Sequence, residues 1–110
     1  MKTKQTSQLP PKILPGSDEW KNHLHRMKEL NIYGLLYIRK DSKTKFSDNP
    51  AVKTGQPIGE HMEIMCAGRN TFMCHISDLE VIDENSLKFG LVEIKPNVYT
   101  FGDSPVRIMR

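Results

Sequence analysis

The pattern of apolar residues predicts an α+β fold, one N-terminal helix packed on a curled antiparallel sheet or small β-barrel of SH3-, OB- or PUA-like size. Three observations lead there. Trp20, Leu24, Met27 and Leu30 recur at four-three-three spacing, which makes one apolar stripe on a helix. Met62, Ile64 and Cys66, then Phe72, Cys74 and Ile76, alternate with other residues around a Gly68-Arg69-Asn70 bend, as the two strands of a hairpin do. The remaining short β-rich runs follow one another with turn residues between them, so sequential antiparallel strands are expected. A flat helix-on-sheet layer is the alternative arrangement.

The chain has 110 residues, the size of one domain. Hydrophobic residues at 37% and charged residues at 26% suit a soluble fold with some disordered chain attached. Lys and Arg number 16 against 13 Asp and Glu, a net charge of +3 that leans towards anionic partners but falls short of a dense nucleic-acid-binding stripe. Two cysteines do not make a disulfide framework. The start, MKTKQTSQLPPK, lacks the apolar core of a signal peptide, and no apolar run approaches the ~20 residues of a membrane span. A cytoplasmic protein with reduced thiols is the expectation.

Residues 1–16 read as a flexible basic tail, charged by Lys2, Lys4 and Lys12 and denied regular structure by Pro10, Pro11 and Pro15. The sharper reading is a docking arm whose Ile13 and Leu14 pack on a partner or on the domain itself. The domain proper spans 17–110. Ser17 after Pro15-Gly16 is a candidate helix cap, Asp18 and Glu19 suit the positive helix end, and Asn31 suits a left-handed stop. His23 and His25, two apart on a helix, do not share a face. Ile32 to Ile38 is a strand apolar on both faces, with Gly34 marking a bulge or the close passage of the helix.

Residues 39–60 are polar and punctuated by Pro50, Gly55, Pro57 and Gly59, which predicts a long loop. Arg39, Lys40, Lys43, Lys45 and Lys53 make it basic, and Phe46 has no core position there, so these six are candidate partner-binding residues. Gly55-Gln56-Pro57-Ile58-Gly59 does not match a phosphate-cradling loop, and no cofactor motif appears.

In the hairpin, a three-residue loop at Gly68-Arg69-Asn70 with Asn70 left-handed sets Cys66 against Phe72, Ile64 against Cys74 and Met62 against Ile76. Both cysteines then share one face, with His61, Glu63, Met65, Met73 and His75 on the other. Thiols and imidazoles divided across a sheet, with no short Cys knuckle, do not make a zinc site. Glu63 opposite His75 is the one acid–base pair in view, and without a nucleophile it reads as an ordinary cross-strand pair. His61 and His75 are therefore candidate rim contacts for a partner. The economical place for the helix is over Met65 and Met73, which its stripe would bury.

Ser77-Asp78-Leu79-Glu80 has a capping-box pattern for a single helical turn, while Leu79, Val81 and Ile82 equally suit a short strand. Leu87 to Ile94 and Val98 to Phe101 form a second hairpin about Lys95-Pro96-Asn97, and Val106 to Met109 a last edge strand. The function expected is a small non-catalytic protein-binding module, of accessory-subunit or inhibitor type, using the tail, the long loop or the last strand's edge. The alternative is a small-barrel module binding RNA or DNA through the basic 39–53 loop and the tail.

Overall fold

The computed structural model describes residues 10–81 and 91–101. Among these residues one α-helix, α1 (Trp20–Glu29), precedes seven strands: β1 (Leu35–Ile38), β2 (Asn49–Lys53), β3 (His61–Cys66), β4 (Asn70–His75), β5 (Leu79–Val81), β6 (Leu91–Lys95) and β7 (Val98–Phe101). The first five form one antiparallel sheet in the order β4-β3-β2-β1-β5, and β6 and β7 pair as a separate hairpin. The expected α+β class with a curled antiparallel sheet is what the chain adopts. The expected edge strand at 106–109 lies outside the described residues, as does the start of the second hairpin before Leu91.

Each face of the sheet has its own cover. On one face Met27 of α1 packs with Leu36, Ile38, Ala51, Met62, Ile64, Cys66, Cys74, Ile76 and Leu79, flanked by Trp20, Leu24 and Leu30. On the other, Tyr99 and Phe101 of β7 cover Leu35, Val52 and Met65. The helix thus lies on the cysteine face, not over Met65 and Met73. The reason is chemical: the face with the continuous apolar set demands the larger cover, whereas the opposite one carries His61, Glu63, Thr71 and His75. Met65 is buried by β7 instead, and Met73 stays 45% exposed.

The hairpin register differs from the expected one by two residues. His61 faces His75, Met62 faces Cys74, Glu63 faces Met73 and Cys66 faces Asn70. The bend is the 3₁₀ turn Ala67–Arg69, in which Gly68 and Arg69, not Asn70, take left-handed backbone. Because side chains alternate with period two, a two-residue shift changes every cross-strand partner yet moves no side chain to the other face. Cys66 and Cys74 accordingly remain together on the buried side, both as free thiols.

Two further boundaries move. Ser17 does not cap α1: its amide and its hydroxyl both donate to the Leu14 carbonyl, closing a turn through Pro15 and the left-handed Gly16, and the helix starts at Trp20. Nor is Asn31 the left-handed stop. That conformation falls on Tyr33, whose amide bonds to the Lys53 carbonyl and whose carbonyl accepts from Tyr99, so the kink ties β1 to both its neighbour and the second hairpin. Gly34 follows in close passage beneath the helix end, where an added Cβ would run into the Leu30 side chain. Ile32, half exposed, stands outside the strand.

The long loop expected at 39–60 contains β2, an interior strand of the sheet. Pro50 is tolerated because it pairs only with Tyr37 of β1, while β3 meets β2 at Val52 and Lys53 alone. The Ser77–Glu80 stretch resolves into both expected forms in succession, a 3₁₀ turn at Ile76–Asp78 and then β5. The segment 10–16 docks on the domain: the Pro10 carbonyl accepts from Arg39, and Lys12 pairs with Asp78 at 2.8 Å.

Candidate functional site

The eight sequence-expected site residues separate into three groups. Arg39 and Lys53 are buried, at 2% and 0% exposure. Arg39 forks onto Asp41 (Nε–Oδ1 3.0 Å, Nη2–Oδ2 2.9 Å), reaches Glu80 with Nη1 at 2.9 Å and donates to the Pro10 carbonyl at 2.7 Å. The guanidinium beside it holds the Asp41 carboxyl below the usual carboxylate range, and the same hydrogen bond raises Arg39 in turn. Lys53 Nζ lies at the end of α1, donating to the carbonyls of Met27, Lys28 and Leu30 and to Gln56 Oε1. Those carbonyls have no partner within the helix, and the helix end is the negative pole, so a buried ammonium is held there although desolvation lowers its pKa. Neither cation is open to a partner.

His61 and His75 form the second group, on the hairpin rim. Their rings meet edge to face with centroids 5.0 Å apart, and Trp20 approaches His75 from the helix at 6.2 Å. The carboxylate on His75 is Glu60, 3.0 Å from Nε2, whereas Glu63 is turned away to Thr54. His75 Nδ1 accepts from both the hydroxyl (2.8 Å) and the amide (3.1 Å) of Ser77. A carboxylate, an imidazole and a hydroxyl thus stand in line, as acyl-transfer sites require. Ser77 is buried, however, and its own amide bonds the same nitrogen, so the ring acts as the cap of the 3₁₀ turn. Both thiols are shielded by burial, which pushes Cys66 to about 11 and Cys74 to about 12, far from the thiolate that nucleophilic chemistry needs. No group of three or more His, Cys, Asp or Glu side chains that could hold a metal ion occurs among the described residues.

The third group stays open. Lys40, Lys43 and Lys45 are exposed, whereas Phe46, expected to have no core position, is half-buried against the rim of the helix-side core, where it stacks on Phe72 with centroids 5.7 Å apart and planes 23° apart. Lys45 Nζ lies over the Phe46 ring at 5.7 Å. Thr44, Lys45 and Phe46 on one side and Asn70, Thr71 and Phe72 on the other line a cleft of about 260 Å³. Its lining holds no acid. The acids of the same loop are engaged elsewhere, Asp41 with Arg39 and Asp48 with the Tyr37 hydroxyl. Lys43, Lys45 and Arg69 make no ion pair among the described residues, so the field at this end of the sheet is positive.

Phe72, Asn70 and Thr71 carry no site signal in the sequence, because a strand with one apolar face reads as core. The available signal was Phe46: a large aromatic in a polar loop needs a neighbour, and Phe72 at the open end of the apolar face is the one it finds. His23, which the sequence marks only as sharing no helix face with His25, has a structural role. It is buried at 1% exposure, its Nε2 donates to the Ile76 carbonyl at 3.0 Å, and it fastens α1 to the 3₁₀ turn.

No helix among the described residues is long and apolar enough to cross a membrane. No family model, curated protein or solved structure matches the chain.

Proposed function

We propose that the protein is a small non-catalytic protein-binding module, of accessory-subunit or inhibitor type, and that its recognition surface is the cleft between the 44–46 loop and the start of β4. The observation that carries the reading is the Phe46–Phe72 pair, an apolar floor at an exposed sheet edge with a lysine at its lip that makes no ion pair among the described residues. Aromatic anchors in a partly desolvated pocket with a charged rim are the usual core of a protein interface. The thiol burial and the capping role of His75 support the absence of a catalytic function. Two reduced cysteines support a cytoplasmic setting.

The nucleic-acid alternative is weaker for two reasons. Single-strand binders combine a continuous basic groove with aromatic faces open to bases. Here Arg39 and Lys53 are consumed internally, so the loop cations form no continuous groove, and one stacked Phe46–Phe72 pair is not a run of aromatic faces for successive bases. The discriminating experiment is capture from a lysate on the immobilised chain, with and without nuclease, alongside Phe72→Ala. The reading expects a protein that resists nuclease and is lost with Phe72→Ala. Capture that vanishes on nuclease treatment, or binding that weakens steeply between about 50 and 200 mM salt as phosphate contacts do, would replace it with the nucleic-acid reading.

A further inference from the structure

We infer, resting on the protein-binding reading above, that the Phe46–Phe72 cleft takes one tryptophan side chain of the partner, with a carboxylate on a neighbouring residue set against Lys45.

Size excludes the larger occupants. Pockets that enclose a small molecule or cofactor run to about 300–1,000 Å³, and this cleft holds about 260 Å³, room for a single large side chain. Interface anchors are most often tryptophan, tyrosine and arginine. Arginine needs an acid, and the lining of Thr44, Lys45, Phe46, Asn70, Thr71 and Phe72 offers a lysine and no carboxylate. An aromatic ring remains, and the Phe46 and Phe72 rings, with centroids 5.7 Å apart, give it an apolar wall.

Two polar groups choose among the aromatic residues. Asn70 Nδ2 donates to the Ala67 carbonyl at 2.7 Å, which fixes the amide with its oxygen as the free end. Asn70 Oδ1 accepts no hydrogen bond among the described residues, so an anchor that seals the cleft must bring a donor or leave that oxygen dry. Phenylalanine brings none. The indole N–H is a donor only, carried on a side chain that buries a large apolar area. Lys45 Nζ, 5.7 Å from the Phe46 centroid, makes no ion pair among the described residues. A carboxylate beside the tryptophan meets it at the rim.

The chain itself cannot supply this anchor. Its single tryptophan, Trp20, packs against the helix-side core, and residues 1–9, 82–90 and 102–110 contain neither tryptophan nor tyrosine. The occupant is therefore a different protein and not a second copy.

The test is an amide NMR titration of the isotope-labelled full chain with the capped peptide Ser-Asp-Trp-Asp-Ser. Two relatives accompany it, one methylated on the indole nitrogen and one with serine for both aspartates. The parent peptide should shift the Phe72 amide and the Asn70 side-chain resonances. Indole methylation should weaken binding about tenfold, as one buried acceptor left without its donor does. Serine for aspartate should weaken it about threefold, the scale of a rim ion pair. Lys45→Met should weaken the acidic peptide by the same factor and leave the serine peptide unchanged. Equal binding of the methylated peptide, or equal sensitivity of both peptides to Lys45→Met, overturns the inference. No peptide binding, while a Phe72-dependent protein is still captured from lysate, overturns the tryptophan anchor and leaves the cleft reading standing. Loss of both overturns that reading as well.

Discussion

Lys53 Nζ donates to the carbonyl oxygen of Leu30 at 2.6 Å, so the central strand of the sheet terminates the helix. That one contact joins two elements that neither helix propensity nor strand alternation would relate. Removing the ammonium while keeping the side-chain bulk, as in Lys53→Met, strands the Met27, Lys28 and Leu30 carbonyls in an apolar environment. The expected loss is about 2 kcal/mol of unfolding free energy, within the range for buried acceptors left without a donor. Urea titration of the two proteins measures it, and a loss below about 0.5 kcal/mol, a surface-like value, is incompatible with the burial described.

Arg39→Lys is the second prediction. A lysine carries the charge but cannot fork onto Asp41 while also reaching Glu80 and the Pro10 carbonyl. Stability should fall by about 2 kcal/mol, and the segment 10–16 should become sensitive to protease at concentrations that leave the domain whole. Unchanged protection of that segment would place its anchor elsewhere.

The sequence made the faces of the structure legible and its partners illegible. The Trp20-Leu24-Met27-Leu30 stripe and the alternation about the 67–69 bend depend only on local period, and both are realised. The register missed by two residues because it depends on which residue of Gly68-Arg69-Asn70 turns left-handed, and Arg69 accepts a conformation better suited to Asn70. β2 stayed hidden because Pro50 and Lys53 argue against an interior strand. Each is permitted by a distant fact, β3 ending short of Pro50 and the α1 carbonyls awaiting an ammonium. The basic loop failed for the same reason: Arg39 and Lys53 look like Lys43 and Lys45 until Glu80 and the helix end are placed beside them.

Alkaline pH offers the third prediction. Burial raises Cys66 from 9.0 to about 11 and Cys74 from 9.0 to about 12, and Tyr37 rises from 10.0 to about 12 through burial and its bond to Asp48. Groups raised in the folded state contribute stability that is whole below the unfolded value and lost as pH climbs towards the folded one. Each thiol should therefore cost about 1.4 kcal/mol between pH 8 and pH 10. Lys53, lowered by desolvation, works in the opposite direction as pH approaches 10.5. A Cys66→Ala, Cys74→Ala double variant should show a visibly flatter decline in urea titrations over that range. Parallel declines would mean the thiols ionise in the folded protein.

His75→Ala tests the capping role. Losing the acceptor for the Ser77 amide and hydroxyl and the donor to Glu60 should cost about 1 kcal/mol, the usual value of a cap. Ser77→Ala should cost less, since the amide bond persists. Partner capture should survive both changes, because neither residue lines the Phe46–Phe72 cleft. Capture abolished by His75→Ala in a protein of normal stability would move the interface to the histidine rim.

The most direct measurement is lysine acetylation followed by mass spectrometry, on the free chain and on the chain holding its captured partner. The account predicts that Lys43 and Lys45 acetylate readily when free and are shielded in the complex, and that Lys53 stays unmodified in both. Equal labelling of Lys45 with and without the partner, or Lys53 reacting as fast as its neighbours, would contradict the division of these cations into those that hold the fold and those that meet the partner.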